Sequence, residues 1–307
     1  MAHIISASRR TDIPAFYSDW FMDRIDEGSC KYQSPMNPLK TLSLSIKDVL
    51  AIVFWSRNYG HMIKKGYLQK LRDKGYDFFM HFTIVGYPDF LDPNVITPRE
   101  AVKQFRFLSR TFGKESICWR FDPIIFSSVT SMEERIETFE KFAKQLSSYT
   151  EYCIISILDL YKKTIKNMAE KGINCYDPLK GIGPITYSEA REMFRKMASI
   201  AKKENIGLYT CCEKRIREDE ELDIDKGSCI NKYWLADILR DKQKKEEILK
   251  LPPDYGQRKK FDCGCYKSTD IGLYNSCIHG CVYCYANKNK EKVKENYKDY
   301  IQNKEYN

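Results

Sequence analysis

The sequence predicts an α/β protein on a parallel sheet, a TIM-like (β/α) barrel or partial barrel. Three observations lead there. Short, β-rich apolar runs recur along the chain, they are near-continuous rather than alternating, and each is followed by polar residues and a helical pattern. Near-continuous runs suit parallel strands covered by helices on both faces. Alternating strands and helices give an α/β architecture. Six or seven such units in 307 residues favour a barrel or partial barrel over an open sheet.

The stronger strands are predicted at His3–Ser8, Leu50–Trp55, Phe78–Val85, Ser116–Phe121, Cys153–Leu158 and Ile206–Cys211, with a weaker one at Thr269–Tyr274. Thr97-Pro98-Arg99-Glu100 opens a helix with Pro at its first position and Ala101, Phe105 and Leu108 on its apolar face. Ser131…Glu134 and Thr186…Glu189 read as capping boxes ahead of two more amphipathic helices. The aromatic and Met stripes on these helices read as core. Residues 1–212 form the barrel body on this reading, and 213–262 a charged insertion or subdomain. Residues 263–307 supply a cysteine-rich segment and a terminal helix that completes the barrel.

The chain carries 51 Lys+Arg against 42 Asp+Glu, a net charge of +9, and is 43% hydrophobic and 30% charged. That composition excludes wholesale disorder. No apolar run approaches the roughly 18–20 residues of a membrane helix, and the opening residues do not resemble a signal peptide. A cytoplasmic protein is expected, so its twelve cysteines should be reduced thiols. Basic charge with 21 Tyr and 16 Phe permits a nucleic-acid substrate, but spread lysines usually mark a solvated surface. A small molecule and a nucleic acid both stay open. No P-loop, nucleophile elbow or dinucleotide fingerprint is present.

Cys263, Cys265, Cys277, Cys281 and Cys284 crowd near the C-terminus, where clustered thiols point to metal or redox chemistry. Cys277, Cys281 and Cys284 have the spacing C-x3-C-x2-C. Three thiolates on one tight loop can hold three irons of a [4Fe–4S] cube and leave the fourth without a protein ligand. Gly280 allows a positive φ between two of them. Zinc is the alternative, although paired knuckles are its usual arrangement and Cys263-x-Cys265 makes a poor one. His279 reads as a loop residue or an outer donor rather than a ligand.

The string Cys-Ile-His-Gly-Cys-Val-Tyr-Cys-Tyr-Ala (277–286) resembles the cluster motif of radical S-adenosylmethionine (SAM) enzymes, closest to their spore photoproduct lyase-like branch. Together, SASRRTDIPAF (6–16) and DIGLYNSCIHGCVYCYAN (270–287) resemble an uncharacterised bacterial domain-of-unknown-function family. The first resemblance implies a [4Fe–4S] cluster whose open iron binds SAM. It also implies reductive cleavage to a 5′-deoxyadenosyl radical and an electron donor such as flavodoxin or ferredoxin. In radical SAM enzymes the cluster loop follows the first barrel strand; here it lies near the C-terminus. A circularly permuted barrel would reconcile the two, with Thr269–Tyr274 beside His3–Ser8. Ser6, Ser8, Arg9, Arg10 and Asp12 would then fall where such enzymes hold the methionine part of SAM, although no Gly-Gly-Glu-like triplet is there. Tyr283, within the motif, joins them as a cofactor contact. The alternative is a non-catalytic iron–sulfur or zinc protein with a structural or redox-sensing site.

In a barrel the strand C-terminal ends surround the active site, which nominates Arg57, Arg120 and Asp122 as catalytic. Arg9, Arg10, Arg57 and Arg120 should share one rim. At least one should face a single large pocket unpaired, ready to clamp an anionic cofactor or substrate. The competing reading makes Arg10–Asp12 and Arg120–Asp122 structural ion pairs. Cys211, Cys212, Cys229, Cys263 and Cys265 could hold a second cluster or zinc, without a diagnostic spacing. Cys30, Cys118, Cys153 and Cys175 read as ordinary small residues.

Overall fold

The computed structural model describes residues 2–33, 39–254 and 263–303. Eight parallel strands form one sheet, His3–Ala7, Val49–Ser56, Phe78–Thr83, Ile117–Ile124, Tyr152–Ile157, Gly207–Thr210, Asp225–Lys226 and Thr269–Asp270. The spatial order follows the chain from Asp225–Lys226 at one edge back to His3–Ala7, and Thr269–Asp270 lies outside that strand at the other edge. The last pairing joins the two ends of the chain, with Ile5 opposite Thr269 and Ser6 opposite Asp270. Helices flank the sheet, and the architecture is α/β. None among the described residues is long and apolar enough to cross a membrane.

The near-continuous apolar runs have a direct cause. Successive strand side chains point to opposite faces, and here both faces are buried. Ile52, Phe54, Phe78, Met80, Phe82, Trp119, Phe121, Cys153 and Ile155 enter one core, under the long helices. Ala51, Val53, Phe79, Cys118, Tyr152 and Ile154 enter a second core on the other face. Ile230, Trp234 and Leu235 close that second core. They come from the 213–262 segment, which also supplies the edge strand Asp225–Lys226 and the helices Lys232–Ile238 and Lys242–Leu249.

The helix starts follow the sequence. Thr97 caps Pro98–Phe112 through Glu100 N–H, and Ser131 and Thr186 form complete capping boxes on Met132–Leu146 and Tyr187–Lys203. The strand forecast at Thr269–Tyr274 stops at Asp270. At Gly272 a Cβ would stand 1.8 Å from Ser8 Oγ, so only glycine lets the two strand ends approach as they do. The chain leaves the sheet there and enters the cysteine loop.

Candidate metal centre

The loop carrying Cys277, Cys281 and Cys284 is held from several elements. Tyr17 Oη–H donates to Ser276 O at 2.6 Å, and Val282 N–H to Leu91 O at 2.9 Å. Asn94 donates to Ile278 O from its amide and to His279 O from its backbone. Gly280 has φ +72°, as its place between two cysteines anticipates. His279 is buried, with Nε2 2.7 Å from Asp12 Oδ2 and Nδ1 3.1 Å from Asn94 O. Both its ring nitrogens are thus used in fixing the loop.

Asp12 is where the first strand, the second strand and the loop meet. Its carboxylate caps Ile13–Phe16 by accepting from Ala15 N–H at 3.0 Å. It also accepts from Ser56 Oγ–H at 2.7 Å and Arg57 N–H at 2.8 Å. With His279, these bonds make Asp12 a positioning residue for the loop.

Burial pushes the Cys277, Cys281 and Cys284 thiols above their ordinary value. Each sulfur nevertheless receives N–H groups. Arg57 Nη1 lies 3.0 Å from Cys281 Sγ, and Ala286 N–H donates to Cys284 Sγ at 3.3 Å. Backbone groups of His279 and Asp12 reach Cys277. Buried thiols surrounded by N–H donors are poor as neutral groups and well suited to thiolates bound to a cation, which reverses the cost of burial. The donor set fits a three-thiolate metal site.

The arginines correct the sequence reading. Arg57 is not an unpaired clamp: Nη1 and Nη2 each lie 2.6 Å from an Asp92 oxygen, and Tyr283 Oη completes the group 2.8 Å from Nη1. Arg120 pairs with Asp122 through two nitrogens, so that ion pair forms. The Arg10–Asp12 pair does not form; Arg10 pairs instead with Asp270 at 3.1 Å. Asp270 lies opposite Ser6 in the pairing of the chain ends and gathers the residues proposed for SAM. It accepts from Ser6 Oγ–H at 2.6 Å, Ser8 Oγ–H at 2.8 Å and Arg9 N–H at 2.9 Å. These polar groups are spent on a carboxylate of the chain itself.

Two cavities lie near the candidate residues. A cavity of about 90 Å³ adjoins Arg57 and Asp92, and another of about 150 Å³ adjoins Cys212, Glu213, Asp159 and Asp177. Pockets that enclose drug-sized ligands run to roughly 300–1,000 Å³. Both are smaller than that, Arg57 lines the first, and Arg120 lines neither. Glu213, beside the second cavity, accepts Ile157 N–H at 3.0 Å, and burial raises its carboxyl to about 7.

Cys211, Cys212, Cys229, Cys263 and Cys265 converge. Cys211 Sγ lies 3.6 Å from both Cys212 Sγ and Cys229 Sγ, and the sulfurs of Cys211, Cys212 and Cys263 all lie within 4.8 Å of one another. Hydrogen bonding from Cys211 and Cys229 brings Cys265 down to about 6, while Cys211 is raised. Arg120 Nη1 lies 3.1 Å from Cys229 Sγ. His81 Nε2 meets Cys229 O at 2.7 Å, and burial holds its imidazole down to about 3, so it is neutral. Cys30, Cys118 and Cys153 are buried thiols, and with Cys175 they lie outside both groups. Burial raises Cys30 to about 12 and Cys175 to about 11.

A family model described as "Domain of unknown function (DUF1848)" matches residues 4–286. The chain belongs to that family. No curated protein matches it. The match takes in the first strand, the sheet, both cysteine groups and the loop through Ala286, so all the polar partners described above belong to the family's domain. Two residues central to this geometry, Asp92 and Asp270, were missed by sequence reasoning. Both are acidic residues that follow a strand C-terminal end or close a strand. Extending the rim inventory to the strands Phe78–Thr83 and Thr269–Asp270 would have nominated them.

Proposed function

We propose that the chain is a radical SAM-like iron–sulfur enzyme with a [4Fe–4S] cluster on Cys277, Cys281 and Cys284. The observation that supports this best is three half-buried cysteines on one short loop, each sulfur supplied with N–H donors. When bound, the cluster would supply one-electron reduction at an iron that the protein leaves open. A permuted barrel is the architecture this reading implies, since the loop's strand lies beside the first strand.

The chain's own residues have separate tasks. Asp12 and His279 hold the loop's position. Arg57 sets positive charge against Cys281, which favours its thiolate, while Asp92 and Tyr283 fix the guanidinium plane. Val282 and Tyr283 are buried and keep water from the loop. Ser6, Ser8, Arg10 and the Arg9 N–H, the groups that the resemblance assigns to SAM, already engage Asp270, so SAM binding there would have to displace those bonds. Their engagement by Asp270 favours a second reading, a structural or redox-sensing cluster.

One assay separates the readings. Anaerobically reconstituted protein is incubated with SAM and dithionite, and 5′-deoxyadenosine is measured. The enzyme reading predicts its formation, abolished by replacing the three loop cysteines with Ala. A fully loaded cluster that yields none supports the non-catalytic reading. A small-molecule or nucleic-acid substrate and a flavodoxin- or ferredoxin-like donor belong to the enzyme reading alone.

A further inference from the structure

We infer that Cys211, Cys212, Cys229, Cys263 and Cys265 form a second metal site, which holds one tetrahedrally coordinated zinc ion through four of these thiolates. The site shares no residue with the Cys277–Cys284 loop, and the inference holds whether or not that loop carries iron.

The fold assembles the group from three distant segments. Cys211 and Cys212 follow the strand Gly207–Thr210, and Cys212 takes φ +66°, which turns the chain sharply after the pair. Cys229 follows the edge strand Asp225–Lys226. Gly227, where a Cβ would stand 2.9 Å from Tyr209 Cβ, brings it in close. Cys263 and Cys265 arrive just before the opposite edge strand, Thr269–Asp270. Core packing alone has no reason to bring five thiols from three segments to one point, since a thiol gains little from another thiol compared with an aliphatic neighbour.

The distances point to a single ion. Zinc–thiolate bonds of about 2.3 Å in a tetrahedron place sulfurs about 3.8 Å apart. The separations of 3.6 Å from Cys211 to Cys212 and to Cys229 match that edge. Cluster ligands on different irons must stand further apart, because the metal–sulfide cage lies between them. Charge is also provided for. Four thiolates and one divalent ion carry a net −2, and Arg120 donates to Cys229 Sγ while the buried Arg9 lies within electrostatic reach of Cys265, Cys229 and Cys263. Ile230 N–H donates to Cys265 Sγ at 3.4 Å, the kind of contact that orients a ligating sulfur. The ion would tie both sheet edges to the second core. That makes it a folding element, since binding free energy at such a site is folding free energy.

The test uses the full chain, grown with both metals and purified anaerobically. Zinc should be present at about one per chain, and zinc-edge X-ray absorption should show four sulfurs at about 2.3 Å. Because that measurement is element-specific, iron elsewhere does not interfere and no substitution is needed. Cys211→Ser should lose the zinc, whereas Cys30→Ala should keep it. The Cys277→Ala/Cys281→Ala/Cys284→Ala variant should lose iron and keep zinc. Substoichiometric zinc in the parent, a shell with fewer than three sulfurs, or iron with cluster absorbance in the triple variant would each overturn the inference.

Discussion

The two cysteine groups differ in how the chain makes them. Cys277, Cys281 and Cys284 come from one loop, and their sulfurs are supported by backbone N–H groups and Arg57. The five others come from three segments, and their sulfurs meet each other. A local motif fixes its ligand spacing before the protein folds and can present a face to an exchangeable ligand. A group assembled from distant segments exists only once the sheet has formed, and metal there would stabilise the fold. The loop therefore suits chemistry, and the convergent group suits structure.

Substitutions that act on one group and spare the other sharpen this contrast. The largest effect is expected for Asp12→Ala, which removes the partner of His279 and of Ser56, a buried network whose loss costs about 3–5 kcal/mol. The variant should melt well below the parent and bind little iron yet keep zinc; parent-level iron would break the contrast.

Next comes Glu213, beside Cys212. Its native value of about 7 exceeds the ordinary 4.5, so the folded chain holds a proton that the unfolded chain gives up. The stabilisation is complete below pH 4.5 and is lost as pH rises through 7. It amounts to roughly 3 kcal/mol at most. Glu213→Gln should flatten the decline in stability between pH 5 and 8, read as the difference between its denaturant melts and the parent's. Parallel melts across that range would contradict the buried, protonated carboxyl.

Asp270→Asn weakens the bonds to Ser6, Ser8 and Arg10 and should cost about 2 kcal/mol in urea unfolding, with iron and zinc unchanged. A neutral result would return those residues to ligand binding. Smallest is Ser131→Ala, about 1 kcal/mol from a lost capping box on Met132–Leu146, with no change in either metal.

Local signals were legible in the sequence. Seven of the eight sheet strands, the caps at Thr97, Ser131 and Thr186 and the cysteine loop all depend on neighbouring residues, whereas the pairing of the chain ends was expected only through the resemblance to radical SAM enzymes. The edge strand Asp225–Lys226 was not legible, because two exposed charged residues carry no strand pattern. Partner choice was not legible either. Arg57 could have taken any rim carboxylate, and Asp92 wins it because the loop after Phe78–Thr83 folds back over the second strand's end. The five-cysteine group was only a list of residues until parallel pairing brought strand ends 207–210 and 225–226 together.

A [4Fe–4S] cluster on the Cys277–Cys284 loop is the proposal on which the enzyme reading rests. Its most direct test is iron and sulfide content, with electron paramagnetic resonance of the dithionite-reduced protein, for the parent and the triple Ala variant. The account predicts about four irons per chain and a reduced-cluster signal in the parent, and neither in the folded variant. A parent that contains only zinc, or a folded variant that keeps its iron and its signal, would contradict it.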